Sequence, residues 1–414
     1  MKKKRKNNKY IKNILKDLDN ESKFSIYEVV IIMFISVCFG IIIGYILTYT
    51  NSSMYAIRND SNLSDIVTTY KEINDNYYKK VDKKKISEAA VSAMMKSLDD
   101  PNTSYISDDF NDSFNETMNG QFVGIGITIK YDGEYNKVIE VNKDDPADKA
   151  GIKKDDLIVK IDNNDCKGKY GNDITKLIRG KAGSKVLITV KRNDELKEFT
   201  VIRGDIDIKS VEYKVFEEND QKIGYIRLSV FASNSYGQFS EALSKLEKKK
   251  IDSLIIDLRG NPGGYISASR DILSLFFDKK VVLYQIQNMN SSKKKIYSKT
   301  LEKRKYPVVL LGNGLTASSS EIMISCFKDN YSKSYFVGEK TYGKGTVQES
   351  HSLKSGNTIK YTVNKWYTSK GESIDGKGIV PDYNVILGDD FYDNPTNDND
   401  AQINKAKEIL KKNH

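Results

Sequence analysis

Histidine and cysteine are scarce in this chain of 414 residues. The sequence has two histidines, His351 and His414, so counting almost excludes a Ser-His-Asp triad and makes a histidine-based zinc site improbable. The three cysteines, Cys38, Cys166 and Cys326, are too few and too scattered for a disulfide framework or a metal-binding knuckle. The sequence therefore indicates chemistry that uses no metal and no other cofactor.

A basic stripe of the kind that binds nucleic acid is also lacking, although the formal net charge is +10. The lysines occur in short runs that alternate with aspartate and asparagine, and no element carries a basic stripe with aromatic residues along it. Such runs are typical of a solvated surface. We therefore expect no nucleic-acid partner.

One long apolar run, VVIIMFISVCFGIIIGYIL, extends from Val29 to Leu47. About 20 apolar residues span the hydrocarbon core of a bilayer, so we predict a transmembrane helix over residues 26–49. The basic segment 1–25 predicts a cytoplasmic N-terminus, which makes the chain a single-pass protein of the cell membrane with the residues after the helix outside the cytoplasm. A cleaved signal peptide is the alternative, but its apolar part is usually shorter and no clear small-x-small cleavage site follows Leu47.

The pattern of apolar residues changes along the rest of the chain. Residues 60–118 space them three to four apart, which predicts a helical region. Residues 119–205 alternate apolar and polar positions and predict a β-rich domain, whereas 206–388 alternate predicted strands and helices. Residues 389–414 form an acidic, turn-rich tail and a closing helix. The predicted fold class is a mixed α/β core with an inserted β-rich domain, a helical N-terminal region and one transmembrane helix.

The inserted β-rich domain resembles a PDZ domain. GIGI at 124–127 stands where PDZ domains have their carboxylate-binding loop, and DPADKAGIKKDDLIVKID at 145–162 follows their usual pattern. Glycine permits backbone dihedrals that turn successive N–H groups toward an anion, beside which an extended peptide can add as a strand. The expected partners are protein or peptide substrates with free C-termini. Their carboxylate is expected to bind the loop residues Gly124, Ile125, Gly126 and Ile127.

Two strand ends in the α/β core carry motifs suited to a nucleophilic site. LRGNPGG at 258–264 presents N–H groups without obstructing side chains, which suits an oxyanion hole, although a plain surface turn has the same composition. NGLTASSSEI at 313–322 follows a strand and opens a helix, where a serine lies at a sharp turn near the positive end of the helix dipole. Serine is also a common N-cap, and its spacing to the glutamate resembles a capping box. The motif alone leaves both roles open.

The segment GEKTYGKGTVQ at 338–348 carries the candidate for the base. It is close to a phosphate-binding P-loop, but Gly345 stands where the magnesium-binding hydroxyl belongs and a strand pattern follows instead of a helix. Lys344, flanked by glycines, can enter a cramped pocket, and a buried lysine shifts its pKa and can act as a general base. Gln348 lies on the same face of the predicted strand and is placed to hold the amine.

Together these motifs resemble those of the C-terminal processing, or tail-specific, peptidases. That family consists of membrane-anchored or exported serine proteases with a Ser-Lys dyad and an inserted PDZ domain. The resemblance covers residues 60–413 and includes FVGIG, DLRGNPGG, TASSSEI, YGKGTVQ and GKGIVPD.

The resemblance implies a role for each matching residue. The family run Ser-Ala-Ser-Ala-Ser-Glu reads TASSSE here, so its nucleophile corresponds to Ser318. Lys344 corresponds to the base and Gln348 to the residue that orients it, while the backbone N–H groups of Gly263 and Ser319 correspond to the oxyanion donors. Counting back from Lys344 by the family spacing selects Ser319 as nucleophile. A loop insertion costs little, so the local motif and Ser318 are preferred.

The implied activity is that of a serine endopeptidase that recognises substrate C-termini through its PDZ domain and cleaves through an acyl-enzyme. The main alternative is a catalytically inactive, membrane-tethered PDZ adaptor, against which the intact Ser318, Lys344 and Gln348 argue. An α/β enzyme acting on acyl thioesters is disfavoured by the apolar anchor, the PDZ domain and the lysine. The helices expected at 61–98 and 402–412 either mediate a homodimer or close the core.

Overall fold

The computed structural model describes residues 12, 25–218, 220–301, 304–393, 396 and 398–412. The chain divides into two compact units, Met1–Ala93 and Met94–His414. Most of the predicted cytoplasmic segment 1–25 lies outside the described residues, as does His414.

The first unit is helical. Its helices are α1 (Ile26–Asn59), α2 (Ser61–Asn76) and most of α3 (Lys83–Lys96). Asp60 caps α2 by accepting hydrogen bonds from two backbone N–H groups of the first turn. Within α1, Ile26–Tyr45 is a 20-residue stretch with a mean hydropathy of 2.7 and exposed side chains. Its length and composition suit a membrane anchor or a signal sequence, and α1 continues past residue 49, where the predicted transmembrane helix ends.

The N-terminal part of the second unit contains a strand that the sequence does not predict. Within the region 60–118, β1 (Ser104–Ile106) precedes α4 (Asp108–Asn119). β1 pairs antiparallel with β18 (Thr358–Tyr367). Three residues are too few for a period-two pattern, which is why sequence periodicity indicates helix throughout this region.

The PDZ-like region is an antiparallel sheet of order β3-β4-β5-β7-β8, with β6 paired to β5. β2 pairs with β9 as a separate ribbon at the entry and exit of the region. Buried apolar side chains from these strands, from α5 and from α6 form its own core. The bounds are β2 (Gln121–Gly124), β3 (Ile127–Tyr131), β4 (Asn136–Val141), α5 (Pro146–Ala150), β5 (Leu157–Ile161), β6 (Asn164–Asp165), α6 (Asn172–Ile178), β7 (Lys185–Arg192), β8 (Glu195–Ile202) and β9 (Gly204–Asp207).

The α/β core is built on a six-stranded sheet of order β10-β11-β12-β15-β16-β19. β10 and β11 are antiparallel, and the remaining neighbours are parallel. β12 and β15 are buried along their whole length, as expected of central parallel strands with both faces covered. The bounds are β10 (Val211–Glu218), β11 (Gln221–Leu228), β12 (Ser253–Asp257), β15 (Val308–Gly312), β16 (Ser334–Gly338) and β19 (Tyr383–Asn384).

Helices cover both faces of this sheet. The larger apolar core joins one face to three helices, α7 (Ser235–Lys248), α8 (Ile266–Leu273) and α9 (Ser319–Asn330). The other face packs against Ile403, Ala406, Ile409 and Leu410 of α11 (Ala401–Lys412). The C-terminal helix therefore closes the core, one of the two roles that the sequence left open. A short helix, α10 (Asp389–Asp393), precedes it.

A second sheet carries the glycine-rich segment that ends in Gln348. Its order is β1-β18-β13-β14, and β17 pairs with β18. The register sets Gln348 opposite Thr362. The remaining bounds are β13 (Val282–Gln287), β14 (Lys294–Tyr297) and β17 (Thr346–Ser352).

Candidate active site

Two neighbouring parallel strands end at the same edge of the core sheet. The glycine motif follows one of them, and the serine motif follows the other. β12 leads into LRGNPGG, and β15 leads into NGLTASSS. Asn261 joins the two turns, because its carbonyl oxygen accepts hydrogen bonds from the Ala317 N–H at 3.0 Å and the Ser320 hydroxyl at 3.1 Å. The crevice beyond the carboxyl ends of parallel strands is a common place for a site in open α/β sheets.

Ser318 occupies a strained backbone position immediately before α9. Its dihedrals are φ 56° and ψ −116°, a conformation that residues other than glycine rarely adopt. The backbone strain is of the order of 1–3 kcal/mol. The residue is the N-cap of α9, as the sequence suggested, and it also lines a cleft of about 750 Å³. The two roles proposed for this position are therefore compatible.

The two serines that follow point elsewhere. Ser319 is 1% exposed, and its hydroxyl donates to the Gly264 carbonyl oxygen at 3.0 Å. Ser320 is fully buried, and its hydroxyl donates to the Asn261 carbonyl oxygen. Of the three serines, Ser318 is the one that lines the cleft.

Gly263 approaches the Ser318 segment closely. Its φ is +99°, and a Cβ there would lie 2.9 Å from the Ala317 carbonyl oxygen and 3.0 Å from the Ser319 nitrogen. In this conformation the Gly263 N–H donates to the Asn261 Oδ1 at 2.9 Å. Gly263 therefore lies beside the candidate nucleophile, with its N–H bonded to the side chain of its own turn.

Lys344 lines the same cleft as Ser318. Burial lowers the pKa of its amine below the usual 10.5, and the neighbouring Lys360 ammonium lowers the pKa further. The carboxylates of Asp100 and Glu321 oppose this effect. The balance favours a neutral amine at lower pH than for an ordinary lysine, which is what a general base requires.

The carboxylate of Glu321 connects the serine segment to the lysine segment. Glu321 is fully buried, and it accepts hydrogen bonds from the backbone N–H groups of Ser318 at 2.8 Å, Gly343 at 2.7 Å and Lys344 at 2.8 Å. The Thr341 hydroxyl donates a fourth bond at 2.6 Å. In the sequence this glutamate stands out only as half of a capping box. The capping-box spacing was its one signal, because the other three donors lie 20 or more residues further along the chain.

Gln348 also lines the cleft, with its amide nitrogen held by two hydroxyls. Nε2 donates to the Thr346 Oγ1 at 2.8 Å and to the Thr362 Oγ1 at 3.0 Å. The part of the chain that the structure describes shows no hydrogen bond between Gln348 and Lys344. Gln348 thus lines the same cleft as Lys344, while its predicted contact with the amine stays a prediction.

The predicted carboxylate-binding loop lies at the edge of the PDZ-like sheet. Gly124 ends β2 opposite Gly204, and Ile127 begins β3, the edge strand. The side chain of Ile125 is 1% exposed and belongs to the domain core, so this residue has only its backbone to offer a peptide. Gly126 has a φ of +77°, which fits the expected glycine-dependent turn.

Family comparisons match three successive parts of the chain. Residues 222–385 match Peptidase family S41, residues 123–202 match a PDZ domain, and residues 47–109 match the activating protease CtpB N-terminal domain. The expected fold class, a mixed α/β core with an inserted PDZ domain, is confirmed.

Individual proteins are similar over most of the chain. The probable CtpA-like serine protease of Staphylococcus haemolyticus is 36% identical over 325 residues, which cover 78% of this chain and 64% of that protein. The corresponding Staphylococcus aureus strain COL protein is 35% identical over 346 residues, 83% of this chain and 69% of its own length. The solved photosystem II D1 C-terminal processing protease is 25% identical with a TM-score of 0.46, covering 80% of this chain and 88% of that chain. The sequence matches confirm the expected family of C-terminal processing serine peptidases, and the chain belongs to peptidase family S41, among its CtpA-like serine proteases.

Proposed function

We propose that the chain is a membrane-anchored, extracytoplasmic serine endopeptidase with a Ser-Lys dyad. One observation carries the proposal: Ser318, in a strained turn, shares a cleft with Lys344, whose amine pKa is lowered by burial. The hydroxyls of Ser319 and Ser320 are bonded to carbonyl oxygens, which supports Ser318 as nucleophile.

The proposed reaction begins with proton transfer from the Ser318 hydroxyl to the neutral Lys344 amine. The serine oxygen attacks the substrate carbonyl carbon, the leaving amine takes the proton, and water then hydrolyses the acyl-enzyme. The proposed oxyanion donors are the Ser319 N–H and the Gly263 N–H, which must turn from Asn261 toward the substrate. A Gly263→Ala variant is expected to cleave more slowly than wild type, since the added Cβ would lie 2.9 Å from both the Ala317 carbonyl oxygen and the Ser318 Cβ, and its cleavage rate tests whether this close approach is needed.

The PDZ domain is proposed to bind the free C-terminus of the substrate before cleavage. We expect the full-length protein in detergent micelles to cleave an unfolded peptide with an apolar C-terminus faster than the same peptide with an amidated C-terminus. Removal of the carboxylate leaves the loop at Gly126 without its anion. The measurement is the cleavage rate of both peptides by mass spectrometry, with peptide binding followed in parallel. Binding without cleavage would overturn the peptidase proposal and favour the inactive adaptor, and equal rates would contradict a role for the carboxylate.

The membrane proposal has its own test. We expect trypsin added to protoplasts to digest the part of the chain after α1 while the cells stay intact, because Ile26–Tyr45 holds it at the outer face. Immunoblotting of the C-terminal part follows the digestion. Protection of that part would contradict the orientation. A shortened protein released into the medium would show that the apolar stretch is a cleaved signal sequence.

A further inference from the structure

A chain of hydrogen bonds leads from Gln348 to Asp100, which lies outside the residues that match the S41 peptidases. The Gln348 Nε2 donates to the Thr362 Oγ1 at 3.0 Å, and the Thr362 hydroxyl donates to the Asp100 Oδ2 at 2.5 Å. Nε2 also donates to the Thr346 Oγ1 at 2.8 Å. Both hydrogens of the Gln348 amide are therefore committed.

The Asp100 carboxylate fixes the direction of the two hydrogen bonds that link it through Thr362 to Gln348. An ionised carboxylate only accepts hydrogen bonds, so the hydroxyl hydrogen of Thr362 goes to Asp100 and its oxygen can only accept from Gln348. The atom of Gln348 that reaches Thr362 must then be the amide nitrogen. The carbonyl oxygen Oε1 is the acceptor that remains for the Lys344 amine in the cleft that both residues line.

The Asp100 carboxylate is held in place by its own turn. The Asn102 N–H donates to Oδ1 at 2.9 Å, and the Thr103 hydroxyl donates to Oδ2 at 2.7 Å. Burial opposes ionisation, but the hydrogen bonds from Thr362, Thr103 and Asn102 bring the pKa of Asp100 below its usual 3.8. The backbone N–H of Thr362 donates back to the Thr103 Oγ1 at 3.2 Å, so the turn and β18 are joined at two points.

We propose that Asp100 and Thr362 are positioning residues for the base, acting through the amide orientation of Gln348. The inference rests on the proposed Ser-Lys mechanism and extends it to a turn that lies 262 residues before Thr362 in the chain. Residues 222–385, which match the S41 peptidases, would then need the Asp100 turn to complete the catalytic site. That turn falls in residues 47–109, which match the CtpB N-terminal domain.

The charge of Asp100 also bears on the lysine. The groups that affect the Lys344 amine are Lys360, which lowers its pKa alongside burial, and Asp100 and Glu321, which raise it. Removing the Asp100 charge should therefore lower the pKa of Lys344 and move the acid limb of the activity profile to lower pH. Replacing Thr362 leaves that charge in place and should reduce turnover without the same shift.

The test measures kcat and KM against pH for the full-length protein in detergent micelles. We expect Thr362→Val to lower kcat about 10-fold, the effect of one lost hydrogen bond, with KM unchanged, and Thr362→Ser to restore kcat. We expect Asp100→Asn to shift the acid limb to lower pH. Thr358→Val is the matched control, because Thr358 lies on the same strand, is buried and has no hydrogen-bond partner for its hydroxyl among the described residues.

Three results would overturn the inference: Thr362→Val and Asp100→Asn both matching the control, Thr362→Ser being as slow as Thr362→Val, or an acid limb that Asp100→Asn leaves in place. Thermal unfolding of each variant separates a loss of fold from a loss of positioning. Failure of the proposed function itself is distinguishable, because the wild-type protein would not cleave or Lys344→Ala would keep full activity.

Discussion

Ser318→Ala is expected to lower kcat/KM for peptide cleavage by about 10⁴-fold or more, because the substitution removes the oxygen that forms the acyl-enzyme. The backbone of the cleft should stay as it is, since the Ser318 N–H still donates to Glu321. Peptide binding should therefore survive the substitution. The measurement is the single-turnover cleavage rate beside the affinity for the same peptide.

Ser319→Ala is the matched control for this experiment. Its hydroxyl is buried against the Gly264 carbonyl oxygen, so we expect cleavage to be retained and the free energy of unfolding to fall by about 1 kcal/mol. A serine-directed fluorophosphonate should give an adduct that mass spectrometry locates at Ser318. Cleavage that persists in Ser318→Ala and disappears in Ser319→Ala would instead assign the nucleophile to Ser319, as the family spacing suggested.

Lys344→Met should lower kcat by about 10³-fold, within the range that general-base catalysis contributes. Lys344→Arg is the matched control for charge. A guanidinium stays protonated and cannot accept the Ser318 proton, so we expect it to be as inactive as the methionine variant. In the wild-type protein, activity should rise with pH as the amine loses its proton, at a pH below the usual lysine pKa of 10.5.

Stability should respond to Lys344 in the opposite direction to activity. A lysine pKa that is lower in the folded state means that the fold disfavours the charged amine. This cost is fully present below the folded-state pKa and disappears as pH rises through it toward the unfolded-state value. We therefore expect Lys344→Met to unfold at a higher temperature than wild type at neutral pH, and Lys344→Arg to show no such gain.

An arginine variant that cleaves like wild type would exclude the lysine as base.

The sequence predicts most of the fold because its patterns are local. The apolar run of α1, the glycine turn at Gly126 and the alternation of strands and helices in the core all depend on neighbouring residues. The short strand β1 is missed, since its pairing with β18 joins distant residues and leaves no periodic pattern. The extent of α1 beyond residue 49 is missed for another reason: hydropathy marks a membrane span, whereas a helix can continue in polar sequence.

The site is predictable only in part, because several of its contacts join residues that are distant in the chain. Ser318 and Lys344 stand in short local motifs whose roles become recognisable when the motifs are taken together, and the structure places both residues in one cleft. Asp100 is not among the residues that the sequence assigns to the site, because nothing near it in the chain indicates a bond to Thr362. Three of the four donors of Glu321 are likewise a product of the tertiary structure, and only the Ser318 N–H is local.

The buried carboxylate of Glu321 has a consequence for how the cleft can open. Its oxygens accept from the backbone of the nucleophile segment, from the backbone of the base segment and from the Thr341 hydroxyl. A charge buried without its donors is costly, so displacement of either segment destabilises the attachment of the other. The two segments therefore behave as one cooperative unit that is assembled or lost as a whole. Graded control of this site would have to act through side chains, such as the amide of Gln348, that move while this backbone anchor stays closed.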